Sequence, residues 1–371
     1  MKIHSILLIF IFLYSCNGGK KTGEDIQKIP YAKENPKYAH GLVIKGEEDY
    51  RFVTVRNPND TNKIYAEYLF VSPNTKISTP EGFQRIEVPV KTFASVSTTH
   101  LALLTALGEE ERLIGFSGFK YISDPKILKL IDEGKVSEFG ADDKFDNEKI
   151  IDLSPDALMV YPFEGADFSL MEEAGIPIIY NAEYLENTPL GKAEWIKLAG
   201  LLFQKSEQAE KIFNKIEAEY NQTKIASAQT KKPTVILGKP LKNEWFLPCG
   251  ESYAALFIKD GGGDYLYATL PGNNIQTKSF EEVLDKAIDA DYWIFSDASD
   301  AEITRESLLK ENPLYANFKA FKNGNIIVCN SQKTDYFGQG VLEPDVILKD
   351  LVYYLYPGKI NHQPKYFKRI P

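Results

Sequence analysis

"FDNEKIIDLSPDALMV", residues 145–160, reads as a short helix with an acidic first turn running into a buried strand. "KSFEEVLDKAIDADYWIF", residues 278–295, says nearly the same again. Setting Glu148 against Glu281 brings Asp152 opposite Asp285, Asp156 opposite Asp289 and Ala157 opposite Ala290. The apolar pairs Ile150–Ile151 and Val283–Leu284 fall in register as well. Asp146 and Ser279 stand at N-cap positions, and Ser279 with Glu282 has the spacing of a capping box. One helix–strand unit used once in each half of a chain predicts two α/β lobes of related topology.

Outward from these units the text keeps that rhythm. Residues 41–90 are strand-like ("GLVIKG", "YRFVTVRN", "KIYAEYLFV", "QRIEVPV"), with "NPND" and "SPNT" as turns. From residue 91 short apolar runs alternate with amphipathic helices, the pattern of parallel α/β layers. Residues 190–228 carry apolar positions at three- and four-residue spacing and predict one long helix, ended by "KKP". A second α/β series follows. The expected division is therefore a β-rich extension at 41–90 packed on the first lobe, a first lobe at 91–189, a connecting helix at 190–228, a second lobe at 229–358 and a tail at 359–371. Two Rossmann-like parallel sheets facing one another would bind ligand between their strand ends.

The beginning of the chain sets the compartment. Lys2, an apolar run from Ile6 to Leu13 and "LYSC" make a secretory signal, since so short a run cannot span a bilayer. Leu13–Cys16 resembles a bacterial lipobox, which assigns residues 1–15 to the signal and lipidation to Cys16. The polar stretch that follows predicts a flexible tether over 16–40, and with the lipid it anchors the protein to a cell-envelope membrane on the periplasmic side. A net charge of −9 without a basic block argues against nucleic-acid binding. Cys249 and Cys329 remain after processing, and the sequence leaves their pairing open. The remaining histidines are His40, His100 and His362. His40 and His362 lie in flanking segments and read as solvated; His100 reads either as a ligand contact or as a satisfied helix-start residue. So few histidines predict no resident metal site and no cofactor.

The ordered set of motifs resembles the helical-hinge (class III) substrate-binding proteins of ABC importers for iron–siderophores and vitamin B12. "FASVSTTHLALLTALGEEERLIGFSGFKYISDP", "NEKIIDLSPDALMV", "EEAGIPIIY", the long helix, "SFEEVLDKAIDADYWIF" and "NPLYANFKAFKNGNIIVCN" occur in family order. The resemblance implies a monomer that binds an iron–siderophore, corrinoid or haem chelate and delivers it to an ABC permease with its ATPase. It also implies that Glu148 and Glu281, one per lobe, dock on the permease. Helix-dipole complementation is the plainer role for either acid alone.

Residues just past strand ends should line the cleft: Thr98, Thr99, His100, Phe119, Tyr121, Phe163 and Glu164 from the first lobe, and Lys239, Trp245, Tyr253, Ser296, Gln332 and Tyr336 from the second. Aromatic faces and hydroxyls suit a large, partly apolar chelate. Two other readings stay open on sequence grounds. One is a two-lobed envelope enzyme for glycosyl transfer or hydrolysis, although no Gly-x-Ser-x-Gly or metal-ligand cluster supports it. The other is a surface-exposed chelate-capture lipoprotein.

Overall fold

The computed structural model describes residues 35–47, 49–141, 144–227 and 231–370, so the expected signal segment, Cys16 and most of the tether fall outside the described residues. Where the described chain begins, it is already fastened. The fully buried Glu194 carboxylate accepts the backbone amides of Lys37 (2.9 Å), Tyr38 (2.6 Å) and Ala39 (2.9 Å). The tether expected over 16–40 is corrected accordingly: its last residues belong to the fold.

Strands β1 (Leu42–Glu47), β2 (Tyr50–Asn57), β3 (Asp60–Val71) and β4 (Gln84–Glu87) form a four-stranded sheet in that order. Period-two alternation turns Leu42, Ile44, Val53, Val55, Tyr68 and Phe70 inward. The sheet packs on the first lobe, and Tyr68 fixes the contact. Its hydroxyl donates to the Ile178 carbonyl (2.9 Å) and accepts from the Tyr180 amide (2.8 Å).

The first lobe runs β5 (Phe93–Ser95), α1 (Thr98–Ala106), β6 (Leu113–Phe116), α2 (Pro125–Asp132) and β7 (Ser137–Glu138). A hairpin of β8 (Gly140–Ala141) and β9 (Lys144–Phe145) leads to α3 (Asn147–Leu153), β10 (Ala157–Val160), α4 (Ser169–Glu173) and β11 (Ile178–Tyr180). Its sheet has the order β11-β10-β5-β6-β7, with every pair parallel.

The connector departs from expectation. Instead of one rod it is α5 (Pro189–Glu194), α6 (Ile196–Leu202) and α7 (Ser206–Ser227). The chain barely deviates at Trp195, but it turns sharply at residues 203–205, where Gln204 adopts φ +54°. The turn is closed by the Lys205 amide on the Gly200 carbonyl (2.6 Å). Gly200 lets α6 and α7 cross closely, since a Cβ there would lie 2.6 Å from that of Ala209. Neither proline nor glycine marks the break itself, and periodicity alone runs straight through it. The 22 residues of α7 span roughly 33 Å. Lys205 near its start pairs with Glu109 of the first lobe, while Tyr220 further along donates to Asp260 of the second (2.8 Å).

The second lobe begins with β12 (Thr234–Leu237), β13 (Pro240–Leu241), β14 (Glu244–Pro248), α8 (Tyr253–Asp260), β15 (Asp264–Tyr265) and β16 (Ile275–Ser279). It continues through α9 (Phe280–Ala287), β17 (Tyr292–Asp297), α10 (Arg305–Glu311), α11 (Lys319–Lys322), β18 (Ile326–Asn330), α12 (Pro344–Leu355) and β19 (Lys368–Ile370). The main sheet is β15-β12-β17-β18-β19, parallel except for the β18–β19 pair; β13-β14-β16 is a small antiparallel sheet beside it.

The expected tail at 359–371 is thus partly an edge strand. It is held by the fully buried Asp350, which accepts the amides of Lys365, Tyr366 and Phe367 and meets His362 Nε2 at 2.5 Å. His362, expected to be solvated, is therefore part of that anchor. Cys249 and Cys329 are separate buried thiols and form no disulfide.

Four strands of each lobe share one topology: β6-β5-β10-β11 and β15-β12-β17-β18. The duplicated helix–strand unit occupies matching places, α3–β10 and α9–β17. At its strand, the register differs from the sequence alignment. Thr92 and Asp156 clasp each other across β5 and β10, with Asp156 Oδ2 accepting the Thr92 amide (3.0 Å) and Thr92 Oγ1 accepting the Asp156 amide (3.0 Å). The same clasp in the second lobe joins Thr234 and Asp291 (2.9 and 3.0 Å). The structural counterpart of Asp156 is Asp291, not Asp289.

Candidate functional site

In an open parallel sheet, ligands bind beyond the strand carboxyl ends where the strand order reverses. In this protein those switch points lie between β5 and β10 in the first lobe and between β12 and β17 in the second. Each holds a cavity, and a third cavity lies between them.

The first-lobe cavity, about 490 Å³, is lined by Ser97, Thr98 and Thr99 at the start of α1, by Ser117 and Tyr121 after β6, by Tyr161 after β10, and by Glu183 and Tyr184 after β11. Ser97 caps α1 by accepting the Thr99 amide (3.3 Å), which places the helix's first hydroxyls at the cleft. The middle cavity, about 390 Å³, shares Ser97, Thr98, Thr99, Glu183 and Tyr184 and adds Lys192 of α5 with Tyr253, Tyr336 and Phe337 of the second lobe. It is the interlobe cleft itself. The second-lobe cavity, about 410 Å³, meets it at Tyr336 and takes in Lys239 beyond β12 and Ser296 and Asp297 at the end of β17.

Glu183 and Lys192 set the electrostatics. Lys192 Nζ donates to the Glu183 carbonyl (3.2 Å) and the Tyr184 carbonyl (2.7 Å), stapling the loop after β11 to the connector. Burial raises the Glu183 carboxyl above its ordinary range, and Lys192 and the Thr99 hydroxyl offset only part of that. Burial likewise lowers the Lys192 ammonium, against the pull of Glu183 and Glu186. Both charged forms are costly here, as expected where water is displaced without full pairing. The Tyr253 and Tyr336 phenols are pushed up by burial and remain protonated donors.

Of the residues expected at the cleft, Thr98, Thr99, Tyr121, Tyr253 and Tyr336 line its first-lobe and middle parts, and Lys239, Ser296 and again Tyr336 line the second-lobe cavity. The others lie elsewhere. His100, on the inner side of α1, is buried, with Nδ1 3.0 Å from Ser95 Oγ. The Met159 carbonyl lies close to the ring, and the buried Nε2 has no hydrogen-bond partner among the described residues. Burial carries its pKa down to about 3, so it is a neutral core residue. Trp245 is fully buried, and its indole donates to the Leu237 carbonyl (2.8 Å). Phe119 packs against the core from its half-buried turn. Phe163 belongs to an aromatic cluster with Tyr161, Phe145 and Phe168. Glu164 and Gln332 are exposed and line none of these cavities.

Ser97, Tyr161, Glu183, Tyr184, Lys192 and Phe337 were not anticipated. The rule that found Thr98 finds two of them when applied to "IPIIYNAEYLEN", because Glu183 and Tyr184 follow β11. Tyr161 is the first residue past β10, two before the Phe163 that was expected.

The acids singled out in the repeat have matching local settings. Glu148 and Glu281 are exposed in the first turns of α3 and α9. Asp146 caps the former through the Lys149 amide, and Ser279 with Glu282 forms the expected capping box on the latter. Among the described residues there is no cluster of three or more His, Cys, Asp or Glu that could hold a metal, and no helix long and apolar enough to cross a membrane.

With two lobes of shared topology closing on a cleft at both switch points, the class is defined, and comparison with known proteins agrees. The family model for periplasmic binding proteins matches residues 94–333. The chain is 31% identical over 300 residues to an uncharacterized lipoprotein of Methanocaldococcus jannaschii, covering 77% of this chain and 70% of that one. Its fold is similar to a periplasmic haem-binding protein of Vibrio cholerae (TM-score 0.58, 18% identity, 72% of this chain and 100% of that chain). It is also similar to an ABC-type Fe3+-hydroxamate transport protein of Saccharomonospora viridis (TM-score 0.55, 17% identity, 73% and 94%). The chain belongs to the periplasmic binding protein family. It is a substrate-binding protein and not an enzyme.

Proposed function

We propose that this protein is the binding component of an ABC importer, capturing an iron(III)–siderophore, haem or corrinoid chelate between its lobes and delivering it to the permease. The observation that carries this is the cleft. Hydroxyls and phenols from both lobes converge at Ser97, Thr98, Thr99, Tyr184, Tyr253 and Tyr336, the surface a large chelate with a polar rim requires. Iron is cargo in this reading and arrives already ligated. The structural neighbours named for haem and for Fe3+-hydroxamate support the ligand class.

Glu148 and Glu281 are the proposed permease contacts, one per lobe. Each is held outward at a capped helix start, and the same device in both lobes suits a partner that grips both. A lipid on Cys16 would tether the monomer in the cell envelope, and the lipoprotein relative supports that. Native mass spectrometry of the purified protein with ferric hydroxamates, ferric catecholates, haem and cobalamin tests the reading. One chelate should be retained at one per chain, and retention of none would overturn it.

A further inference from the structure

We propose that the second-lobe cavity receives an apolar arm, aliphatic or aromatic, of an amphipathic ligand whose polar head lies against the first-lobe hydroxyls. This rests on the ligand-capture reading above and narrows its substrate class.

The small sheet β13-β14-β16 carries the argument. An antiparallel sheet packed on a core by one face ordinarily turns polar residues to water on the other. Here the inner face is apolar as it should be, with Trp245 and Leu247 fully buried. The outer face also carries Glu244, Thr277 and Ser279, yet around the cavity it is apolar. Leu241, Phe246 and Ile275 are 67%, 38% and 60% exposed, and all three line the cavity. Large apolar side chains gathered in water around an open pocket mark a binding surface. Gly238 makes the geometry possible: at φ +79° it turns the chain from β12 into the small sheet, and a Cβ there would sit 2.2 Å from the Phe246 carbonyl.

The cavity walls opposite are Ala254 and Phe257 of α8 and Leu351 of α12. Polar groups gather around Lys239, whose ammonium is already paired with Asp297 (2.8 Å) and Glu311 (2.9 Å). A ligand's polar head finds no unpaired cation there, whereas the first lobe offers it seven hydroxyls and the Glu183 carboxyl. Tyr336 borders both the interlobe cleft and this cavity, so the two adjoin at that side chain. The volume, about 410 Å³, lies within the range of small-molecule pockets, ~300–1,000 Å³.

The test compares a ferric trihydroxamate with the same chelate bearing an octyl chain, by tryptophan-fluorescence titration of the whole protein, with octanoate as a chain-only probe. The octyl chelate should bind about tenfold tighter or more. Ala254→Trp, which fills the cavity, should bring the two Kd values together. Ile275→Asp, at an exposed rim position (60% exposed) where the core is not touched, should do the same in part. Equal binding of the two chelates by the wild type would overturn the inference while leaving the capture reading standing. So would an octyl advantage that survives both substitutions. Octanoate binding as tightly as the octyl chelate would overturn it in favour of an independent lipid site. Binding of neither chelate would overturn the inference, while the capture reading stands or falls on the four-chelate panel above.

Discussion

The two lobes share four strands in one order, a Thr–Asp clasp at the start of two of them and an acid-tipped helix at the same place, yet they present opposite surfaces at their switch points. The first lobe offers Ser97, Thr98, Thr99, Ser117 and three tyrosines; the second offers Leu241, Phe246 and Ile275 of an inserted sheet. The insertion makes the difference. Between β5 and α1 the chain passes through two residues, while between β12 and α8 it makes β13 and β14 first. Where the path is short, the helix N-terminus and its hydroxyls reach the cleft. Where it is long, the inserted sheet supplies the wall. Duplication set the scaffold, and loop length set the chemistry.

The largest expected effect lies in the cores. Trp293 on β17 occupies the place of Leu158 on β10, both fully buried. Trp293 packs 5.5 Å from Trp245 and donates to the Gly238 carbonyl (2.7 Å), so it supports the inserted sheet as well as the lobe. Trp293→Ala should cost about 3–5 kcal/mol in urea unfolding. Leu158→Ala should fall nearer the lower part of the 2–5 kcal/mol range, about 2–3 kcal/mol. An equal cost would mean the inserted sheet is not held by that tryptophan.

Docking should depend on both lobes. The double substitution Glu148→Ala with Glu281→Ala should leave chelate binding unchanged and weaken permease docking by about 2–5 kcal/mol per lost buried pair, read as lost uptake. Normal uptake would reduce both acids to helix complementation.

Acid should reach the first lobe through a buried histidine that the second lacks. His100 is the third residue of α1, and the matching position of α8 is Ala255. In the unfolded chain a histidine takes up its proton near pH 6.5, but His100 in the fold does so only near pH 3 because of burial. Between those values the unfolded state binds more protons, so stability falls as pH falls, by up to about 1.4 kcal/mol per pH unit. His100→Gln should remove that slope from the pH dependence of unfolding. An unchanged slope would place the acid sensitivity elsewhere.

The smallest effects concern where the paired helices stop. α3 ends at Ser154 in the left-handed region (φ +42°), whereas the residue capping α9, Ile288, stays right-handed. Ser154→Gly should stabilise the protein by about 0.5–1 kcal/mol and Ile288→Gly should destabilise it by about as much. The same sign for both would show that the two ends are alike after all.

That difference also explains what the sequence conceals. Capping residues, acid positions and strand content were legible because they depend on neighbours three or four residues away. The alignment of Asp156 with Asp289 was misleading because α9 runs on where α3 turns left-handed, and the clasping residue is Asp291. Trp245 was expected at the cleft, but in a strand one position separates the two faces, and its neighbour Phe246 lines the cavity. The connector's break at Gln204 carries no glycine or proline to announce it. The edge strand β19 depends on Asp350 meeting amides fifteen to seventeen residues away, a contact that no local pattern encodes.

The central claim is that one ligand is held by both lobes at once. Hydrogen–deuterium exchange with and without the retained chelate tests it most directly. Binding should slow exchange together in peptides containing residues 97–99 and 183–184 of the first lobe and residues 253 and 336–337 of the second. Slowing confined to a single lobe would contradict a ligand shared between them.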